Sequence, residues 1–240
     1  MTILTVKLVG TKDEVVIDRL HNVFMKSLRR YIQGKRNIVT IIERFKPEDS
    51  DDRKCLNGIL TNTHKLKLWN EFVQRTNDDI VLCDADMFCR GDFSEVFWED
   101  FDIGYTKRTE AHAPFNGGVI FVKNTEKAKQ FMSTWTSVNL EMVQDKEFHE
   151  EWVRKYPGIN QTSFGYLLEH KKLYSARLKH FPCSIYNACM EDWENYKEAK
   201  LIHINNYLRN DLLSMHLPIY LLQKEVRPIA KEWRLYEFEQ

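Results

Sequence analysis

The chain has 240 residues, which is enough for one domain, or for one domain with an appendage, and for a core that needs no disulfide bonds. Its 35 basic and 35 acidic residues give no formal net charge, so the composition indicates neither a nucleic-acid-binding protein nor an acidic disordered tail. Aromatic residues make up 12% of the chain, with nine Gly and six Pro, which argues against a disordered or low-complexity protein.

The cysteine content and the hydropathy pattern indicate the cellular compartment. Five cysteines, an odd number, occur without Cys-x-x-Cys spacing, as is typical of a reduced protein whose thiols are small buried hydrophobes. The sequence shows neither an apolar run long enough to span a membrane nor a signal peptide at its start. We therefore predict a soluble, cytoplasmic protein without a transmembrane segment.

The first third of the chain alternates between predicted strands and predicted helices. Apolar runs predict strands at residues 3–9, at residues 37–43 and in a segment ending at Asp84. Helical spacing predicts helices at residues 15–32 and 56–75, with a polar turn at 10–13 and a loop at 45–52. This alternation favours right-handed crossovers and a mainly parallel sheet with helices on both faces.

The remaining elements are predicted from the same two periodicities. Strands are predicted at residues 102–107, 178–185 and 200–204, and a turn at 115–118 is predicted to lead into a strand that ends at 122. Helices are predicted at 125–138 and 162–170, and the tail after residue 210 is predicted to be helical, with Pro218 and Pro228 interrupting it. No linker composition is present, so we predict one α/β domain over residues 1–210 with a helical carboxyl-terminal extension, residues 211–240, packed on it.

Two carboxylates, those of Asp84 and Asp86, end the apolar strand that follows the second helix. Asp is a poor strand residue, and its charge is costly to bury unpaired. Side chains at i and i+2 of an extended chain point to the same face, where two carboxylates repel each other unless a cation lies between them. We interpret the pair as a divalent metal site at the carboxyl end of a central strand; the alternative is a cap for the following turn.

Four motifs follow one another between residues 60 and 210. They are Lys65-Leu66-x-x-Trp69 followed by the Asp84-Ala85-Asp86 strand, Phe115-Asn116-Gly117-Gly118-Val119, Asn160-Gln161, and His203-x-x-Asn206-x-x-Arg209. Their residues and their order resemble those of GT-A nucleotide-sugar glycosyltransferases of the glycogenin and lipopolysaccharide galactosyltransferase type. The resemblance implies a GT-A fold, which is Rossmann-like with a mainly parallel central sheet flanked by helices.

The resemblance also implies an activity. It implies transfer of a sugar from a nucleoside diphosphate sugar, expected to be UDP-linked, to a hydroxyl acceptor on a glycan, a lipid-linked glycan or a protein, with retention at the anomeric carbon. Asp84, Asp86 and His203 are expected to bind Mn²⁺ or Mg²⁺, and the single imidazole favours manganese. A lone histidine at a strand end is also compatible with an ordinary hydrogen-bonded side chain.

Roles in donor binding and catalysis follow from the same resemblance. The residues expected to bind the sugar nucleotide are Lys65, Asp84, Ala85, Asp86, Arg108, Asn116 and Gly117. Arg209 would hold the leaving diphosphate, where the family has lysine, and Gln161 would contact the donor sugar. Asn160 replaces the family's aspartate, so it retains hydrogen bonds to sugar hydroxyls but loses a charge that could stabilise an oxocarbenium-like transition state.

Two other functions are compatible with the pattern. A haloacid dehalogenase-type phosphohydrolase also carries Asp-x-Asp after a hydrophobic strand, but that motif has Thr or Val where Met87 or Phe88 stands here, and it usually follows the first strand. The second is a GT-A-like protein that binds a sugar nucleotide or a partner without catalysis, as the asparagine at position 160 would allow.

Overall fold

The computed structural model describes residues 1–10, 14–32, 34, 36–45, 54–109, 114–213 and 218–238, without the side chains of 54–57, 206 and 207. The predicted turn at 10–13 and the predicted loop at 45–52 therefore lie largely outside the described residues, as does the side chain of Cys55. The other four cysteines are free and buried, as the sequence predicts.

The secondary structure alternates as the sequence predicts through the first three strands. The strands are β1 (Thr2–Val9), β2 (Asn37–Arg44), β3 (Ile80–Cys83), β4 (Met87–Cys89), β5 (Ile103–Lys107), β6 (Phe115–Val122), β7 (Leu178–Pro182) and β8 (Leu201–His203). The α-helices are α1 (Glu14–Tyr31), α2 (Lys54–Arg75), α3 (Glu126–Gln144), α4 (Lys146–Val153), α5 (Ile159–Glu169), α6 (Cys183–Tyr186), α7 (Asn206–Leu213) and α8 (Val226–Phe238). Short 3-10 segments lie at Ser94–Trp98, Lys171–Leu173, Met190–Glu198 and Ile219–Leu221.

A six-stranded sheet in the order β2-β1-β3-β6-β5-β7 forms the centre of the molecule. Strand β1 runs parallel to β2 and β3, and β5 runs parallel to β7, whereas β6 is antiparallel to both of its neighbours. The connection between β5 and β6 is too short for the crossover that a parallel pair needs, so β6 reverses direction. The prediction of a mainly parallel sheet flanked by helices is confirmed.

Strand β3 is buried on both faces, which explains its uninterrupted apolar sequence. Leu82 packs in one core with Leu66 and Trp69 of α2. Val81, whose side chain points to the opposite face, packs in a second core with Phe24 of α1. Helices on both faces therefore fix the carboxyl end of this strand. The candidate site residues follow directly after it.

A separate two-stranded sheet, which the sequence analysis did not predict as a pair, holds the other half of the site. Strands β4 and β8 pair in antiparallel fashion, with Met87 opposite His203. Helix α8 packs against this region, because Trp233 shares a core with Phe88 of β4 and Val23 of α1. The division of the chain at residue 210 remains a proposal, in which α8 belongs to the packed extension.

Several predicted boundaries differ from the structure. The chain at 115–118 is not a turn but the first half of β6, and α5 begins at Ile159, three residues before its predicted start. Pro228 does not interrupt the tail, because it lies in the first turn of α8, where the missing N–H has no acceptor within the helix. Among the described helices, none is both long and apolar enough to cross a lipid bilayer.

Candidate active site

Asp84, Asp86 and His203 meet at the carboxyl end of β3. The Nε2 atom of His203 lies 3.4 Å from Oδ1 of Asp86 and 3.8 Å from Oδ2 of Asp84. One potential ligand atom from each of the three residues lies within 4.8 Å of the others. Two carboxylate oxygens and one imidazole nitrogen in this arrangement fit a hard or intermediate divalent cation, which would also relieve the repulsion between the carboxylates.

The two carboxylates converge through a turn and not through strand alternation. Strand β3 ends at Cys83, and Ala85 and Asp86 lie in a turn, so the expectation that an extended chain aligns Asp84 with Asp86 is wrong. The N–H of Asp84 donates to the carbonyl of Gly118 (2.9 Å), and the N–H of Ile204 donates to the carbonyl of Asp86 (2.8 Å). The backbone of this turn is thus attached to both sheets, which holds the carboxylates close together.

Charges around Asp86 and His203 stabilise their ionised forms. Burial alone would raise the pKa of Asp86, but His203, Arg209 and Lys65 outweigh it and hold this pKa below its ordinary value. Burial lowers the pKa of His203, while Asp86 and Cys189 raise it, with a net result of about 10. The cluster is therefore a strongly coupled group of charges at a buried position.

Lys65 pairs with the carboxylate of Asp84, and Arg209 pairs with that of Asp86. Nζ of Lys65 contacts Oδ1 of Asp84 and lies 4.8 Å from the centre of the Trp69 ring. The tryptophan of the Lys-Leu-x-x-Trp motif is one helical turn after the lysine, so its ring supports the ammonium group. Nη2 of Arg209 contacts Oδ2 of Asp86, and its Nε donates to the carbonyl of Ile204 (3.2 Å).

The glycines of the second motif have different surroundings. A Cβ atom at Gly118 would lie 2.7 Å from both Cε1 and Nδ1 of His203, so only glycine fits beside this ring. A Cβ atom at Gly117, the predicted binding residue, would make ordinary contacts, the nearest at 3.5 Å from Gln161. The close approach in this motif is thus between Gly118 and the histidine.

Asn116 uses its side chain within the protein. Its Nδ2 donates to Sγ of Cys189 (2.8 Å), and its Oδ1 accepts from the N–H of Gly118 (2.9 Å). The residue is buried and also lines the cavity described below. These bonds fix Asn116 beside Gly118, and Cys189 in turn contacts His203.

Asn160 and Gln161 lie in the first turn of α5 and line the same cavity as Asp84 and His203. Nδ2 of Asn160 donates to the carbonyl of Asn62 (2.9 Å), and its Oδ1 accepts from Nδ2 of Asn139 (3.0 Å). Oε1 of Gln161 accepts from the N–H of Gly117 (3.0 Å). Both carboxamides are therefore held in one orientation, and neither carries a charge.

A cavity of about 140 Å³ joins most of these residues. It is lined by Asn62, Lys65, Asp84, Asn116, Gly117, Gly118, Gly158, Ile159, Asn160, Gln161 and His203. A larger cavity of about 630 Å³ lies between α1 and β2 and contains none of the motif residues. We assign the chemistry to the smaller one, because the ionisable and carboxamide groups converge there.

The structure does not bring every predicted binding residue to this cavity. Arg108 forms an ion pair with Glu191, with Nη2 at 2.9 Å from Oε2, and lies outside the cavity lining. Ala85 and Asp86 are buried in the turn, and neither they nor Arg209 line the cavity. Asn62 and Asn139 were not predicted, and Gly118 was identified only as part of the Gly-Gly pair in the second motif.

Two of three comparisons place the chain among known proteins. Residues 35–212 match the family described as nucleotide-diphospho-sugar transferase. Among curated proteins, no sequence matches significantly. The match covers the Asp84-Ala85-Asp86 turn, the cavity and most of α7.

Solved glycosyltransferase structures share the fold at low sequence identity. A glycosyltransferase involved in glycosylation of the major capsid of PBCV-1 superposes with a TM-score of 0.61 at 10% identity, covering 97% of this chain and 100% of that one. GlyE of Streptococcus pneumoniae TIGR4 gives 0.60 at 13% identity, covering 100% of this chain but 61% of GlyE. The galactosyltransferase LgtC, solved with donor and acceptor sugar analogues, gives 0.56 at 10% identity, covering 99% and 95%.

These matches do not favour the haloacid dehalogenase-type alternative. The superpositions show the fold, and the family match extends over most of the chain, including every motif that carries the resemblance. The chain therefore has the GT-A fold and belongs to the nucleotide-diphospho-sugar transferase family.

Proposed function

We propose that the protein transfers a sugar from a UDP-linked donor to a hydroxyl acceptor in a Mn²⁺-dependent reaction that retains the anomeric configuration. The observation that carries this proposal is the meeting of Asp84, Asp86 and His203, because Asp84 and His203 line a cavity whose wall also contains Asn160 and Gln161. A cation site beside a wall of sugar-binding carboxamides matches the two halves of a sugar nucleotide.

The divalent ion, held by the two aspartates and the histidine, would neutralise the diphosphate as the bond to the anomeric carbon breaks. Lys65 and Arg209 supply two further positive charges beside the same carboxylates, within reach of phosphate oxygens. Asn160 and Gln161 orient the sugar through hydrogen bonds, because their carboxamides are already fixed by the backbone and by Asn139.

The small number of carboxylates that line the cavity supports retention. Among the described residues that line it, Asp84 is the only carboxylate, and it is engaged by Lys65 and by the cation site. The described lining residues therefore provide neither a nucleophile for the anomeric carbon of the donor nor a separate general base for the acceptor hydroxyl. We propose that the acceptor hydroxyl attacks from the side on which the diphosphate leaves and gives its proton to that leaving group.

A thermal shift assay with nucleotides and nucleotide sugars, with and without Mn²⁺, tests this proposal. A ligand that binds only the native state raises the melting temperature by mass action. We expect a shift with UDP that requires Mn²⁺ and is lost in Asp86→Ala, but kept in Asp100→Ala, which removes an exposed carboxylate outside the site. The absence of a shift with any nucleotide would contradict the proposal.

Turnover separates a transferase from a binding protein. With a UDP-sugar that gives a shift, we expect release of UDP that chelation of the metal abolishes, and a product whose anomeric configuration, read by NMR, is that of the donor. UDP-sugar hydrolysis that survives chelation would contradict the metal dependence. Binding without turnover on any acceptor would favour the non-catalytic alternative.

A further inference from the structure

In each carboxylate of the proposed metal site, one oxygen faces His203 and the other pairs with a cationic side chain. Oδ2 of Asp84 faces Nε2 of His203 at 3.8 Å, while Oδ1 of the same carboxylate pairs with Lys65. Oδ1 of Asp86 faces Nε2 of His203 at 3.4 Å, while Oδ2 pairs with Arg209. Two separate internal cations therefore already occupy the carboxylates that would bind the metal.

The charges of the two ion pairs balance each other before any ligand binds. Asp84 and Asp86 contribute two negative charges, and Lys65 and Arg209 contribute two positive ones. The side chains of the pairs are shielded from water, with exposed fractions of 15% and 19% for Lys65 and Asp84 and of 33% and 9% for Arg209 and Asp86. Screening by salt is weak at such positions. An incoming Mn²⁺ therefore meets carboxylates that are already paired and is repelled by the charges of Lys65 and Arg209.

Both cationic side chains have a route to a different partner. Lys65 lines the cavity. Besides pairing with Asp84, its ammonium nitrogen lies 4.8 Å from the centre of the Trp69 ring, which supports it. Arg209 is the most exposed member of the two pairs, so part of its side chain faces the solvent from which a diphosphate would arrive. Diphosphate oxygens are strong acceptors for lysine and arginine, so a bound diphosphate would compete with the carboxylates for both cations.

We propose that Lys65 and Arg209 are internal counterions that couple metal binding to diphosphate binding. In the free protein they compete with the divalent cation for Asp84 and Asp86. When a diphosphate binds, the two side chains transfer to it and release the carboxylates to the metal. Each ligand therefore strengthens the binding of the other, and by linkage the two effects are equal. This inference rests on the proposed function, because it assumes the metal and diphosphate site.

A simple supporting role for Lys65 would have the opposite consequence. If Lys65 only held Asp84 in the correct orientation, its removal would loosen the ligand and weaken Mn²⁺ binding to the free protein. If Lys65 is a counterion, its removal takes away a competitor and a repelling charge, so Mn²⁺ binding to the free protein becomes tighter. The direction of this change separates the two roles.

Electron paramagnetic resonance of free Mn²⁺, titrated with protein in the absence and in the presence of UDP, measures the coupling directly. For the native protein we expect UDP to tighten Mn²⁺ binding by about 5- to 150-fold, the usual range for coupled sites. In Lys65→Gln we expect tighter Mn²⁺ binding without UDP, on the order of tenfold, and a smaller gain on adding UDP. Lys67→Gln, two residues further along the same helix and exposed, should match the native protein.

A second pair of variants covers the arginine. Arg209→Gln leaves the buried Asp86 without its cation and could impair folding, so its melting temperature is measured first. Arg209→Lys retains the charge and should retain most of the coupling. A folded Arg209→Gln protein should repeat the Lys65→Gln behaviour.

The outcomes distinguish this inference from the function on which it rests. If the native protein binds neither Mn²⁺ nor UDP in any combination, the proposed function itself is wrong. If the native protein binds both, but Lys65→Gln binds Mn²⁺ equally or more weakly without UDP, the counterion role is wrong and the metal site stands. Loss of the UDP-dependent gain together with tighter binding to the free protein supports the inference.

Discussion

The imidazole ring of His203 packs directly on the backbone of Gly118, with no space for a side chain between them. A Cβ atom at position 118 would lie 2.7 Å from Cε1 and Nδ1 of the ring and 3.1 Å from Oδ1 of Asn187. His203 is buried, so the ring cannot move into water to make room. The position of the proposed metal ligand on β8 is therefore set by the absence of a side chain on β6.

We predict that Gly118→Ala weakens Mn²⁺ binding. The added methyl group must displace the ring of His203 from Asp84 and Asp86, and disturbing the support of a metal ligand typically costs about 10- to 100-fold in affinity. Mn²⁺ affinity, measured in the presence of UDP, checks this. Gly117→Ala is the control, because its nearest new contact would be an ordinary 3.5 Å from Gln161. Equal affinities in the two variants would show that the packing does not position the ring.

A second prediction concerns Asn160, which stands where the family has aspartate. In Asn160→Asp the carboxylate keeps the bond from Asn139 but cannot donate to the carbonyl of Asn62, and it places a negative charge against that oxygen. A carboxylate at this buried position would face a carbonyl oxygen without a proton between them, which costs about 1–3 kcal/mol, so we expect the free energy of unfolding at neutral pH to fall by that amount. Denaturant titration measures it.

The control for this substitution is Asn62→Asp. Nδ2 of Asn62 also donates to a backbone carbonyl, that of Gly58, at 2.9 Å, but this bond is exposed to water. Water can replace the lost donor there, so the change should stay within about 0.5 kcal/mol. If both variants lose the same stability, burial of the Asn160 bond is not the cause of the cost.

The sequence predicted the parts of the fold that depend on local periodicity. Strands β1 and β2 and helices α1 and α2 are long and strongly patterned, and β3 is a short uninterrupted apolar run. Their order alone predicts parallel pairing. The pairing of β4 with β8 was not predictable, because three-residue strands have no measurable period. The reversal of β6 was also missed, since its direction depends on the length of its connection to β5 and not on its own residues.

The candidate site was predictable in its composition but not in its contacts. The residues of the proposed metal site were identified from short motifs, whereas the partners of those residues come from distant parts of the chain. Arg209 and Asp86 are separated by 123 positions, and Asn160 contacts Asn62 across 98. Such pairs leave no pattern in a single sequence, so the counterion arrangement and the fixed carboxamide of Asn160 required the folded structure.

A third prediction compares two helical glycines that respond to alanine in opposite ways. A Cβ atom at Gly165 in α5 would lie 2.2 Å from the ring of the buried Tyr156, so Gly165→Ala should lower the free energy of unfolding by at least about 1–3 kcal/mol. A Cβ atom at Gly58 in α2 would have no neighbour within 4 Å. Gly58→Ala should therefore raise stability by about 0.5–1 kcal/mol, because alanine loses less backbone entropy in a helix. Melting curves of both variants check the signs, and a shared sign would contradict the prediction.

The last prediction concerns His21, a buried histidine on α1 that is far in sequence from the motifs. Its Nε2 lies 3.1 Å from Oγ1 of Thr40 on β2. Burial, together with the charges of Lys7 and Arg29, lowers the pKa of His21 to about 4 against the opposing effect of Asp18. In the unfolded chain the pKa returns to about 6.5.

The unfolded state therefore binds a proton between about pH 6.5 and 4 that the folded state does not, so stability falls as the pH falls through this window and is unaffected above it. We expect His21→Gln to remove this contribution, which is at most about 1.4 kcal/mol per pH unit. Denaturant titrations at several pH values check it, with His180→Gln, which changes an exposed histidine, as the control. A His21→Gln protein that loses stability as steeply as the native one between these pH values would show that His21 is protonated in the folded state.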